Sequence, residues 1–428
     1  MICTPASLKK YLPLCARLIL FGSLTLTQVS CITQSMQNNN MVQKIMKQHP
    51  EQFQQILDQP EKYRVQVLYT QIDRDAQNNP QFTSYTYRLN PKEYFYPAST
   101  VKLPAAALAL EKLNELNIKG VDKYTALKID SAYAGQSAVA TDSSSENNLP
   151  SIAHYIKKLL LVSDNDAYNR LYEFLGQKQL NEGLHEKGFE DVRLSHRLSI
   201  FLSPDENSHT NPFTFYKGEK ILYQQPLTNN QNPKPSPLAE VFLGKGYMQG
   251  DELVNKPMDF SAKNYISVEA LQGILKSILF PEAVPAQQRF NLKPEDYTFL
   301  YKYMSMLPRE SDYPKYEEQE YPDSYVKFLM YGQDKERIPD NIRIFNKIGD
   351  AYGFMIDNAY IVDFENKIEF MLTAVIYVNE DEILNDGKYE YDEVGFPFMK
   401  NLGKAFYQHE LNRKKQYLPN LEKFRVDY

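Results

Sequence analysis

Ser99-Thr100-Val101-Lys102-Leu103-Pro104-Ala105-Ala106-Ala107-Leu108 sets a serine three residues before a lysine, at the head of an Ala- and Leu-rich run. Residues three apart on a helical turn share a face, so the Lys102 amine can reach the Ser99 hydroxyl. A serine alcohol is a weak nucleophile until a neighbouring base takes its proton. A desolvated lysine with a lowered pKa can be that base. Pro104 has no main-chain N–H to donate, which puts Ser99 near the start of a helix predicted to run through Leu116. The positive end of the helix dipole then lies beneath any oxyanion formed there. The spacing alone is weak evidence, because it recurs at Ser7/Lys10 and at Ser324/Lys327 in a loop-like region.

Two further short motifs follow. Ser163-Asp164-Asn165 occurs once, directly after the apolar Leu159-Leu160-Leu161-Val162. All three residues cap helices well, so a capping turn for a helix beginning near Ala167 is the plain reading. Lys347-Ile348-Gly349 is the only Lys-x-Gly in the chain and follows the strand-like Ile342-Arg343-Ile344-Phe345.

Around these motifs the pattern alternates between periods. Tyr63, Val65, Val67 and Tyr69 share one face of a predicted strand, with Phe82–Leu89 as its hairpin partner. Strand character returns at 343–347, 358–364 and 370–377. Helices are expected at 152–161, 167–175, 268–280, 294–306 and 396–411. The pattern predicts an α/β fold: one antiparallel sheet built from both termini and flanked by helices, with a helical subdomain inserted. The acidic, Tyr-rich stretch 309–323 reads as a solvated surface loop.

In this order, the three motifs resemble those of the penicillin-recognising serine hydrolases, most closely the class A β-lactamases and their larger β-lactamase-like relatives. The resemblance implies the β-lactamase/D,D-peptidase fold over almost all of residues 63–411. It implies Ser99 as the acylated nucleophile, Lys102 as its base and Ser163 as the proton relay to the departing nitrogen. Asn165 would bind the substrate amide and Lys347 a substrate carboxylate, with Gly349 in the same binding strand. The backbone N–H groups of Ser99 and Asp350 would form the oxyanion hole.

Three departures stand out. Ile348 replaces the Thr or Ser whose hydroxyl helps to hold a β-lactam carboxylate. Leu198, in the loop after Val192, falls where class A enzymes carry the Glu that activates the deacylating water. Asp205 and Glu206, a few residues on, are the substitutes available if the loop is reshaped. Extra sequence at about 211–265 is expected to form a lid or a partner surface. β-Lactam amide hydrolysis is thus the leading activity. A D,D-peptidase or other envelope amidase or esterase is the alternative, and a catalytically weak binding protein on the same fold is a third reading.

The chain has 428 residues, 43% of them hydrophobic, with a net charge of −6. Lys9, Lys10 and Arg17 precede a short apolar run, Leu18–Leu26, far below the roughly 20 residues that span a bilayer. Residues 1–30 therefore read as an export signal. Gln28-Val29-Ser30-Cys31 resembles a lipobox with Cys31 as the acylated first residue, although Gln28 stands where an aliphatic residue is usual. Plain secretion and an uncleaved anchor are the other readings. The expected organisation is a tether and N-terminal helix over 32–60, the hydrolase domain over 61–413 and a tail over 414–428. The expected location is the periplasm or cell surface of a bacterium. Cutting before Cys31 removes three positive charges and leaves no pair of cysteines to form an internal disulfide.

So acidic a chain excludes bulk polyanion binding, and no nucleic-acid partner is expected. The six histidines form no HExxH, and Gly-x-Ser-x-Gly is absent. Gly244-Lys245-Gly246 lacks the strand-to-helix context of a nucleotide site. No cofactor or metal is implied. The expected substrate is a small-molecule or peptidoglycan-derived amide.

Overall fold

Val65, Val67 and Tyr69 are buried, and so are Leu68 and Ile72 between and beyond them. A strand buried on both faces belongs in the middle layer of a three-layer fold. The computed structural model describes residues 36–37, 41–230 and 237–428. The expected export signal and Cys31 lie outside them.

Five long strands, β1 (Gln66–Arg74), β2 (Pro80–Tyr87), β3 (Ile342–Ala351), β4 (Phe354–Asp363) and β5 (Ile368–Tyr377), form an antiparallel sheet ordered β2-β1-β5-β4-β3. Met36–Gln37 adds in parallel outside β2. Leu372 pairs with Tyr69, so an N-terminal and a C-terminal strand meet at the sheet centre. One face packs Val67, Tyr69, Ile361 and Phe370 against the N-terminal helices α1 (Met41–Lys47) and α2 (Pro50–Asp58) and the last long helix. The other face packs Leu68, Tyr360 and Val375 against the helical region of the middle of the chain. That region holds α3 (Lys102–Leu116), α4 (Ile152–Leu161), α5 (Asn165–Glu186), α6 (Val268–Leu279) and α7 (Pro294–Ser305). The last helix is α8 (Phe396–Asn412).

The α/β fold with a sheet drawn from both termini is what the sequence predicts, with three local differences. First, β3 does not stop at Lys347. It runs through Gly349 and Asp350, and the chain turns only at Tyr352 and Gly353, both at positive φ. Second, residues 211–265 are mostly short strands. Phe213–Lys217 pairs with Lys220–Gln225, and Gly246–Gln249 pairs with Glu252–Val254. Third, the stretch expected to be a solvated loop is tied into the fold. Buried Asp323 accepts from Arg309 Nε at 2.9 Å and from Ile338 N at 2.9 Å, and Arg343 grips Glu310 through two bonds of 2.9 Å. Its charges are fold contacts, which composition alone does not reveal.

Candidate functional site

β3 is the edge strand, and the tight turn Ala98–Val101 at the head of α3 packs against it. Gly349 permits the approach: a Cβ there would stand 2.8 Å from both Pro97 O and Ser99 N, and 3.0 Å from Thr100 N. Ala98 holds φ +46, a costly conformation for a residue with a Cβ. Thr100 fastens the turn, its N–H donating to Pro97 O at 3.1 Å and its hydroxyl to the same oxygen at 2.6 Å.

Lys102 is fully buried at the start of α3. Its Nζ lies 2.7 Å from Ser99 Oγ, 2.6 Å from Asn165 Oδ1, 2.5 Å from Ser163 O and 3.1 Å from Ser163 Oγ. Burial pushes the amine down to about 7, against the opposing pull of the Asp164 and Asp350 carboxylates. An amine in this range is poised to take a proton at neutral pH.

Ser163, at φ +60, turns the chain between α4 and α5. Asp164 caps α5, its Oδ1 accepting from Ala167 N at 2.8 Å. The capping reading and the site reading therefore both hold, because the cap fixes the turn that presents Ser163 and Asn165 to Lys102.

Lys347 reaches the same hydroxyl from β3, its Nζ donating to Ser163 Oγ at 2.8 Å and to Ile348 O at 3.0 Å. Burial first, and then the neighbouring Lys102 charge, push the Lys347 amine well below the usual lysine range. That environment works against the standing cation that the resemblance implies.

Ser99, Asn165 and Asp350 sit where two arms of a cleft meet. The first arm, about 520 Å³, passes Ser163 and Ile348 towards Glu320, Tyr325 and Lys335. The second, about 410 Å³, passes Leu198 and Ser199 towards Tyr96, Tyr352 and Tyr389. Neither arm is lined by residues 211–265, so that segment is not the lid the sequence suggested. The wall of the first arm comes instead from residues 319–335. Sequence reasoning missed this wall, together with Tyr96, Tyr352, Tyr389 and Ser199, which accepts from Asn165 Nδ2 at 2.7 Å. None of them carries a local pattern that could have found it.

The loop after Val192 is held from beneath. Leu198 N donates to Asn169 Oδ1 at 2.8 Å, and Asn169 Nδ2 donates to Leu198 O at 3.0 Å. Buried Glu173 lies between Arg197 at 2.8 Å and Arg170 at 3.0 Å. His196 stays neutral: Asn264 N donates to its Nε2 at 3.1 Å, which leaves the ring proton on Nδ1 for Arg197 O at 2.6 Å. Burial holds its pKa at about 4.

Asp205 and Glu206 do not reach the cleft. They start the short helix Pro204–Ser208, where Glu206 accepts from Ser203 N and Oγ, both at 2.7 Å. Asp205 accepts from the Tyr133 hydroxyl at 2.5 Å. The loop is not reshaped to supply a base from these residues, and Leu198 lines the second arm. Ser324/Lys327 forms no second site either. Lys327 Nζ donates to Met304 O, Ile344 O and Asn346 Oδ1, while the Ser324 hydroxyl donates to Asp334 O.

An edge strand bearing Lys347, a nucleophile turn and a serine–asparagine turn meeting at one buried amine describe a β-lactamase-like centre. A model of the β-lactamase enzyme family matches residues 49–292, more than half of the chain, and the chain belongs to that family. A β-lactamase structure from Xanthomonas campestris pv. campestris is similar at 14% identity and TM-score 0.47, over 85% of this chain and 98% of that one. One from Burkholderia ambifaria is similar at 14% and 0.46, over 83% and 97%. An ancestral class A β-lactamase is similar at 15% and 0.46, over 85% and 99%. A search among curated proteins finds no match.

Proposed function

We propose that this protein is a serine hydrolase working through an acyl ester on Ser99. The observation that carries the reading is the buried Lys102 amine, held at about 7 and 2.7 Å from Ser99 Oγ. Lys102 takes the Ser99 proton as Oγ attacks the substrate carbonyl. The N–H groups of Ser99 and Asp350 receive the oxyanion, and Ser163 passes a proton to the departing group. Lys102 and Lys347, both on Ser163 Oγ, restore that proton. Such a base is worth about 10²–10⁴-fold in rate.

Slow release of the ester is favoured by one specific observation: Leu198, not a carboxylate, stands beside the cleft in the loop where the water-activating Glu was sought. Ile348 offers no hydroxyl to a substrate carboxylate, and Asp350 adds a negative charge at the junction of the arms. The reading therefore leans from a fast β-lactamase towards a D,D-peptidase or related envelope amidase or esterase. We place it outside the cytoplasmic membrane, anchored through Cys31, on the strength of the N-terminal sequence pattern.

The test incubates the protein with a penicillin and a cephalosporin, with Ser99→Ala in parallel, and follows intact mass and drug concentration. A Ser99-dependent adduct that persists supports the peptidase-like reading. Rapid Ser99-dependent drug loss supports a β-lactamase. Neither outcome would remove β-lactams as ligands and leave ester or amide substrates, or a binding role.

A further inference from the structure

The second arm of the cleft is walled by rings. Tyr96 and Tyr352 meet edge to face, with centroids 5.0 Å apart and planes at 89°. Phe260 packs edge-on against both, at 6.1 Å and 5.1 Å. Tyr352 holds φ +54 in the turn between β3 and β4, where glycine or asparagine would sit more easily than a bulky ring. The Lys263 ammonium, 5.6 Å over the Tyr352 ring, helps to hold it. A strained residue kept in place by its surroundings and lining a cleft is a signature of function.

Tyr389 closes the arm from a separate loop, with Asn385 N donating to its hydroxyl at 2.8 Å. The inserted segment braces that loop: Gly246 and Tyr247 pair in parallel with Ile383 and Leu384. Gly244, at φ +70, lets the hairpin come close, since a Cβ there would stand 2.6 Å from Glu382 O. The glycine-rich stretch that has no nucleotide context in the sequence thus supports the rim of this arm.

Ser163 lines only the first of the two arms. A proton donor faces the departing group, which leaves the ringed arm for the acyl portion of the substrate. Tyrosine rings receive another ring edge-on or offset, with an attraction beyond its area of burial. We propose that this arm is an acyl-group subsite selecting substrates whose acyl chain carries an aromatic ring, with Tyr352 and Tyr389 setting the preference. The proposal rests on the serine-hydrolase reading above.

The test uses the full-length chain and thioesters of one common thiol. Their acyl groups are acetylglycyl, cyclohexylacetylglycyl or phenylacetylglycyl. Ser99 Oγ bonds to the acyl carbon, the C–S bond breaks, and the thiol leaves with the proton passed from Ser99; water then splits the ester. Thiol release gives kcat/KM. The phenylacetyl compound is expected to lead both others, and Tyr389→Ala to lose roughly 3–10-fold of that lead. Tyr389→Phe, which keeps the ring, should retain it.

Equal rates for all three acyl groups, a cyclohexyl compound as good as the phenyl one, or an unchanged preference in Tyr389→Ala would each overturn the subsite. Methanesulfonyl fluoride, too small to use the arm, reports the nucleophile separately by a mass shift absent in Ser99→Ala. Labelling without acyl preference refutes the subsite and leaves the hydrolase standing. No labelling and no thiol release bring down both.

Discussion

Replacing Gly349 by alanine is the sharpest probe of how the site is assembled. The added methyl would meet three backbone atoms, Pro97 O and Ser99 N at 2.8 Å and Thr100 N at 3.0 Å. No flexible side-chain end can move aside, so β3 and the nucleophile turn must separate by about half an ångström to reach ordinary contact. β3 is hydrogen-bonded to β4 along its whole length, from Ile342 with Asp363 to Ala351 with Phe354, and resists the shift. Ser99 and Asp350 stand on opposite sides of this contact, so the separation opens the oxyanion hole assigned to them. Loss of one such donor costs about 10²–10³-fold in rate. Overpacking itself costs about 1–3 kcal/mol, which in a protein of this size moves Tm by only a few °C. The assay is the second-order rate of Ser99 acylation, followed by intact mass, alongside a thermal melt. A Gly349→Ala protein that melts near the wild type and acylates within threefold of it would refute the reasoning that this close approach builds the site.

Acylation should also follow the charge of Lys102. The neutral amine is the active form, so kcat/KM should rise as pH climbs through about 7 and level off above it. Lys102→Ala should lower the rate by about 10²–10⁴-fold and abolish that rise; a pH-rate profile checks both. Leu198→Glu sets a carboxylate in the loop where none now lines the cleft, and should shorten the life of the Ser99 ester by about 10²-fold or more, read from the decay of adduct mass. Glu173→Ala leaves Arg170 and Arg197 buried without their shared partner and should cost about 3–5 kcal/mol in urea unfolding.

The sequence alone determined the local chemistry and the class of fold. Ser99 and Lys102 are one helical turn apart, so their meeting is fixed by helix geometry, and the alternating and 3.6-residue patterns mark a two-ended sheet around a helical middle. Asp164 is equally legible, as a cap. What joins Ser163 to Lys347, 184 residues away, is tertiary: a turn at positive φ and an edge strand converge on one hydroxyl. The depressed amines of Lys102 and Lys347 are tertiary too, because burial is a property of the packed core and not of the motif. The 319–335 wall escaped the sequence because its tyrosines and acids have no period. Buried pairs such as Arg309 with Asp323 and Arg343 with Glu310 hold the flanking chain, and these are chosen by position in space. Asp205 and Glu206 show the converse: they lay close enough in sequence to serve the site, but a helix cap and the Tyr133 hydroxyl hold their carboxylates elsewhere. Covalent spacing fixes which groups meet within a turn; only the folded backbone decides which distant groups share one buried proton.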